Sequence, residues 1–202
     1  MARIVRVFHR DRAGRPLRVI WTLEEVGAPY ELTVMTREEG RGEEHQRRHP
    51  LGRVPVLEDD EGFLFESAAL CLHLGDLHPD AGLVPPLGTH DRALVYQWAC
   101  FAPSELEPPL FEAWTQADRD PDRAASARER FRAAARAVAN ALGTDEYLVG
   151  GSFSVADVLV GSTLMFTTRA GIADDVPPGL TDYAGRLARR PAFQRAFKRT
   201  FG

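Results

Sequence analysis

Short apolar runs and helical stripes alternate through the first third of the chain, and helical stripes alone fill the rest. Residues 3–8 (RIVRVF) are rich in β-branched positions and predict a strand. Residues 15–26 (RPLRVIWTLEEV) carry Val19, Leu23 and Val26 at helical spacing, with Pro16 where a helix begins and Gly27 where it stops. Residues 30–35 (YELTVM) predict a second strand, giving a βαβ unit with a parallel pair. Residues 36–50 are charged and weakly patterned, a surface loop with room for a short helix. Residues 54–58 (VPVLE) and 63–65 (FLF) flank Asp59-Asp60-Glu61-Gly62 and predict a hairpin. Glu66-Ser67 then opens a helix carrying Leu70, Leu74 and Leu77, so the order is βαβ followed by ββα.

Residues 78–88 (HPDAGLVPPLG) concentrate proline and glycine, and they mark a boundary. Beyond them every pattern is helical. Leu94, Trp98 and Phe101 form one stripe, ended or kinked by Pro103. Phe131, Ala135, Val138 and Leu142 form another. A helix over 154–169 and one or two more over 182–197, around Pro191, complete the chain. The expected organisation is an α/β N-terminal domain over 1–78, a linker over 79–88 and an all-α domain over 89–202.

Composition adds mainly exclusions. With 44% hydrophobic and 27% charged residues, the chain has the makings of an ordinary globular core. A net charge of -4 gives no bulk attraction to nucleic acid or to anionic membranes. Of the 25 basic residues only Lys198 is a lysine, and the arginines are scattered among acids, which reads as coding bias rather than an anion-binding block. Cys71 and Cys100 lie in apolar helical stretches and predict buried free thiols, not a disulfide scaffold. No signal pattern and no apolar run near the ~20 residues of a membrane span is present, so a cytoplasmic setting is expected.

Two short motifs carry chemistry. In Gly52-Arg53-Val54-Pro55-Val56-Leu57 a proline enters a strand, where it removes a ladder donor. A cis Val54–Pro55 bond there would turn the chain and present the Val54 N–H and C=O to an extended peptide; a trans edge-strand proline is the plainer alternative. In Glu66-Ser67, Ser67 is a natural N-cap, and the helix amides beside it suit a carboxylate. Glu66 suits an ammonium group, so the pair fits a zwitterion such as a γ-glutamyl head; a plain cap is the alternative. In the second half, Phe153-Ser154-Val155-Ala156-Asp157 fits a capping box, with Asp157 reaching back to the Ser154 N–H and Phe153 stapling onto Val158.

GRVPVL, a turn and FESAAL together resemble the glutathione-binding signature of the glutathione transferase family, in a bacterial-type form. RPLRVIWTLEEVGAPYE resembles its first helix and second strand, Ser154–Asp157 its helix-capping motif, and Arg189-Arg190-Pro191-Ala192 its C-terminal region. The resemblance spans nearly the whole chain. It implies a thioredoxin-like N-terminal domain and a cis Pro55. Val54 would hold the cysteinyl backbone of glutathione, Glu66 and Ser67 its γ-glutamyl end, and Arg53 would help with the peptide. It implies glutathione as cosubstrate, a small hydrophobic electrophile and a homodimer.

The catalytic loop departs from the family pattern. Residues 9–16 (HRDRAGRP) contain no Tyr, Ser, Thr or Cys to serve the glutathione sulfur. Ala13 matches the catalytic serine position and His9 falls near the tyrosine position. Three readings stay open: Arg12, Arg15 or the Ala13-Gly14 amides stabilise the thiolate; His9, otherwise a solvated strand-end residue, donates to the sulfur; or catalysis has been lost. His45 and His49 have metal-ligand spacing but no third ligand, so no metal is expected. Among the aromatics, Trp98 and Phe101 are the candidates for an apolar electrophile pocket, while Trp114 reads as core. The expected activity is addition of the glutathione thiolate to a small apolar electrophile, by conjugation, dehalogenation or peroxide reduction. The alternative is a non-catalytic binding protein of the same fold.

Overall fold

A computed structural model describes residues 4–11 and 13–202. The chain divides into two compact units: residues 84–189 form one, and residues up to 83 together with 190–202 form the other.

The first unit is built on a four-stranded sheet of β1 (Val5–His9), β2 (Tyr30–Val34), β3 (Val56–Asp59) and β4 (Gly62–Phe65), in the order β2-β1-β3-β4. β1 and β2 are parallel, joined through α1 (Gly14–Val26), and the β1–β3 and β3–β4 pairs are antiparallel. Alternation sorts the faces. Val7 and Leu57 are paired and fully buried, while Arg6, one position along, pairs with Glu31 on β2 and Glu58 on β3 and forms ion pairs with both at 3.1 Å. The charged stretch after β2 folds into a 3₁₀ turn (Glu39–Arg41) and α2 (Glu43–Arg48). Arg48 lies over the Phe8 ring at 4.4 Å, so α2 covers part of the sheet face bearing Phe8 and Phe63. α3 (Ser67–Leu77) packs on α1.

The described helices of the second unit are α4 (His90–Phe101), α5 (Glu107–Gln116), α6 (Pro121–Leu142), α7 (Val155–Ala170) and α8 (Pro178–Ala188). As expected near Pro103, the first of these ends at Phe101, but the chain does not break there. Residues 102–106 form a π-helical turn closed by the Glu107 N–H on Ala102 O, and this turn runs α4 into α5. A proline cannot donate to the preceding turn, and a widened turn accommodates that loss. α7 is buried almost all round. Gly161 permits its close approach to α8, since a Cβ there would meet Leu187 Cδ1 at 2.4 Å. The capping box at its start is complete. The Asp157 carboxylate accepts from the N–H groups of Ser154 (2.8 Å) and Leu148 (3.0 Å) and from the Tyr183 hydroxyl (2.7 Å).

The final helix, α9 (Pro191–Phe201), was expected in the helical half but packs in the first unit, against α1. Phe193 meets Trp21 edge-on at 4.9 Å. Arg190 grips Glu25 through two bonds of 2.7 and 2.9 Å, and Arg195 and Arg199 pair with Glu24. Glu24 is also hydrogen-bonded by Tyr30, and these partners hold its carboxyl below the ordinary range against the opposing effect of burial.

Candidate functional site: a backbone cradle at one end of the sheet

Topology brings three segments to one place. β3 is antiparallel to β1, so it starts where β1 ends; β4 is antiparallel to β3, so it ends where β3 starts. The cross-strand row Phe8–Val56–Phe65 marks that end. From it lead the loop into α1, the turn into β3 and the turn into α3.

The Val54–Pro55 peptide is cis. Val54 is buried with Phe8, Met35 and Val56, and no backbone hydrogen bond among the described residues uses its N–H or C=O. The turn therefore offers one donor and one acceptor of strand type to an incoming extended chain. The preceding residue, Arg53, has its carbonyl bound by His45 Nε2 at 2.8 Å.

The start of α3 differs in detail from the expectation. Ser67 is the first helical residue, not the cap. Glu66 occupies the cap position at φ 72°, the one non-glycine residue with positive φ among those described, and no side chain caps the helix. Pairing of β4 up to Phe65 and helix from Ser67 leave Glu66 to make the whole change of direction. Its backbone conformation costs on the order of 1–3 kcal/mol. The outcome is a helix whose first-turn amides are unspent and whose first turn has no acidic residue, with a serine hydroxyl and a carboxylate beside it.

The loop into α1 is the third side. Arg12 lies outside the described residues. Ala13 occupies the N-cap position, and its methyl packs against the Phe8, Met35, Val54 and Val56 cluster. Its amide is committed to Arg10 O at 3.1 Å, so of the Ala13-Gly14 pair only Gly14 has an amide that the helix start leaves over. Arg15 follows in the first turn, which holds no acidic residue. His9 is not the solvated strand-end residue that its position suggests. It is 1% exposed, and neither ring nitrogen has a well-formed hydrogen bond among the described residues. Burial pushes its imidazole below the ordinary histidine range, opposed by the Arg10 backbone and the Asp11 charge.

His45 and His49 serve this same region. His49 Nδ1 accepts from the Leu51 N–H at 3.1 Å, and its ring stacks on Phe65 at 4.6 Å. Sequence reading missed this role because both histidines lie in a stretch read as a charged loop.

In the second unit, Trp98 is 5% exposed and packs edge-on against Phe101 at 5.3 Å, which makes Trp98 a core residue. Trp114, read from sequence as core, is 39% exposed. It forms an aromatic cluster with Phe111 (6.3 Å) and Phe166 (5.4 Å), with Arg169 over the Phe166 ring.

Known proteins share this architecture throughout. Residues 5–76 match the glutathione S-transferase N-terminal domain and residues 90–191 the glutathione S-transferase C-terminal domain. Glutathione S-transferase 4 of Zea mays is 31% identical over 188 residues, covering 87% of this chain and 83% of the maize protein. The chain belongs to the glutathione S-transferase family. A second relative, glutathione S-transferase GST-4.5 of Xanthomonas campestris, is 30% identical over 83% of this chain and 80% of its own. Among solved structures, a sphingomonad glutathione S-transferase complexed with glutathione superposes with a TM-score of 0.85 at 30% identity, over 96% of this chain and 98% of that one. In this chain the Ala13 methyl packs beside the cis turn, and residues 9–16 carry no hydroxyl or thiol side chain.

Proposed function

We propose that the protein is a glutathione transferase that binds glutathione across the three-sided cradle and adds its thiolate to a small apolar electrophile. The convergence of a Val54 backbone unpaired among the described residues with the uncapped start of α3 carries this reading. The cysteinyl unit pairs with Val54 as an added strand. The γ-glutamyl carboxylate meets the first-turn amides and hydroxyl of Ser67, and its ammonium meets Glu66. Arg53 stands next to the cis turn and serves the remaining carboxylate.

The sulfur then lies toward the start of α1. There the Gly14 amide, the Arg15 charge and the helix dipole favour the thiolate; Arg12, a neighbour in sequence, is a further candidate cation. The thiolate forms a C–S bond with the electrophile, and the displaced group leaves with its electron pair. His9 is the weaker candidate, since burial keeps it neutral and withdraws it from solvent. Trp114, exposed beside the half-buried Phe111 and Phe166, supports an apolar cosubstrate better than the core residue Trp98 does. Phe63, Leu64 and Phe65, about two-fifths exposed along edge strand β4, support a homodimer formed through that edge.

One observation favours a second reading, a binding protein of the same fold: the Ala13 methyl occupies the position where a catalytic hydroxyl is expected. The two are separated by Ala13→Ser, assayed with glutathione and a generic aromatic halide. A transferase with its sulfur at α1 gains a hydrogen-bond donor, and kcat/KM rises about tenfold, the equivalent of ~1.4 kcal/mol. No turnover by wild type or variant, with a partner still bound after Ser67→Ala, would favour the binding protein.

A further inference from the structure

Residues 51–55 connect α2 to β3, and they carry the Val54 backbone on which the proposed cradle depends. Such a turn needs holding, and the described contacts that hold it come from one direction. Gly52 donates its N–H to His49 O at 2.8 Å and sits at φ 59°, so close to the preceding segment that a Cβ would lie 2.5 Å from Gly40 O. The Leu51 N–H donates to His49 Nδ1, and the Arg53 carbonyl accepts from His45 Nε2. Both imidazoles are at least 96% buried, with exposures of 0% for His45 and 4% for His49. The His49 ring also lies on Phe65, the residue before Glu66. One side chain therefore touches both the cis turn and the strand that delivers the start of α3.

We infer that His45 and His49 are positioning residues for glutathione, a two-histidine clamp that fixes the Arg53–Val54 turn in register with the Glu66–Ser67 helix start. This deepens the proposed function and rests on it. The chemistry fixes each tautomer. A carbonyl only accepts, so His45 carries its proton on Nε2; its buried Nδ1 has no partner among the described residues. An amide N–H only donates, so His49 keeps a lone pair on Nδ1. Protonating His49 would set two donors against each other and release Leu51. The titratable and charged groups that face this ring are Glu66 at the head of α3, His45 on α2 and Arg53 on the turn. Burial, His45 and Arg53 lower its pKa, while Glu66 opposes them. A histidine with a lowered folded pKa contributes fully above its unfolded value of ~6.5, and the contribution is lost as pH falls through the folded pKa. The clamp is closed at neutral pH and opens on acidification.

The test uses S-hexylglutathione, whose sulfur does not ionise, titrated calorimetrically into the full chain between pH 5 and 8. Wild type should bind at neutral pH and lose about tenfold in affinity toward pH 5, the equivalent of one hydrogen bond. His49→Asn places an amide oxygen near the former Nδ1 and cannot be protonated; it should retain binding and flatten the pH profile. His45→Gln places an amide N–H near the former Nε2 and should retain binding, whereas His45→Leu should lose about tenfold. A His49→Asn profile that still falls with acid, or a folded His45→Leu that binds as wild type does, would overturn the clamp and leave the glutathione reading standing. Absence of binding by wild type at neutral pH would overturn both. If His45→Leu does not fold, the pH profiles of wild type and His49→Asn decide alone.

Discussion

The chain begins two helices with an acid and a serine and treats them in opposite ways. At α7, Ser154 is the cap and Asp157 folds back, so the carboxylate is filled by the Ser154 and Leu148 amides and the Tyr183 hydroxyl. At α3, the acid is displaced into the cap position itself at φ 72°, Ser67 is pushed one residue into the helix, and no side chain turns back onto the amides. The first arrangement maximises internal satisfaction and closes the helix end to any ligand. The second accepts local strain and leaves the first-turn donors without a side-chain cap among the described residues. Similar residue types at a helix start thus make a structural brace in one unit and an uncapped helix end in the other, and the difference is whether the donors are already spent.

Substitutions can break this contrast from either side. Asp157→Ala should have the largest effect. It strands two buried amides and a buried hydroxyl and should cost about 3–5 kcal/mol in a denaturant melt, while leaving glutathione affinity per folded molecule unchanged. A loss below ~1 kcal/mol would mean that the box is not the brace described. Glu66→Gly should have a smaller and opposite effect. Glycine tolerates the positive φ, so stability should rise by a few tenths to ~1 kcal/mol while glutathione affinity falls several-fold with the loss of the carboxylate. A variant that is both less stable and equally tight would remove strain as the feature that separates the two helix starts.

Most of the frame was legible in the sequence because local signals and tertiary outcome agree. The β-branched runs, Pro16 and Gly27 give βαβ, the hairpin turn gives ββ, and Ser154 with Asp157 gives the box from spacing alone. Val54-Pro55 was legible as a cis turn only together with Glu66-Ser67, since neither pair is specific by itself. What escaped is what distant contacts decide. Ser67 is not the cap because β4 pairing runs to Phe65 and forces the turn onto Glu66. α9 joins the first unit through ion pairs between residues 165 and 171 positions apart. His9 reads as a solvated strand end, yet the fold buries it. Trp98 proves buried and Trp114 exposed, because which aromatic is covered depends on the neighbouring helices packed against it and not on its own stripe.

The proposed glutathione cradle requires an open start to α3. Calorimetric titration of glutathione into wild type and Ser67→Ala, with a thermal melt of each, tests it directly. Wild type should bind measurably, the variant should lose tenfold or more (~1.4 kcal/mol), and the melting temperatures should agree within a degree or two. Equal affinity in the two proteins, or a variant that loses stability in step with affinity, would show that Ser67 supports the helix rather than the ligand, and would contradict the claim.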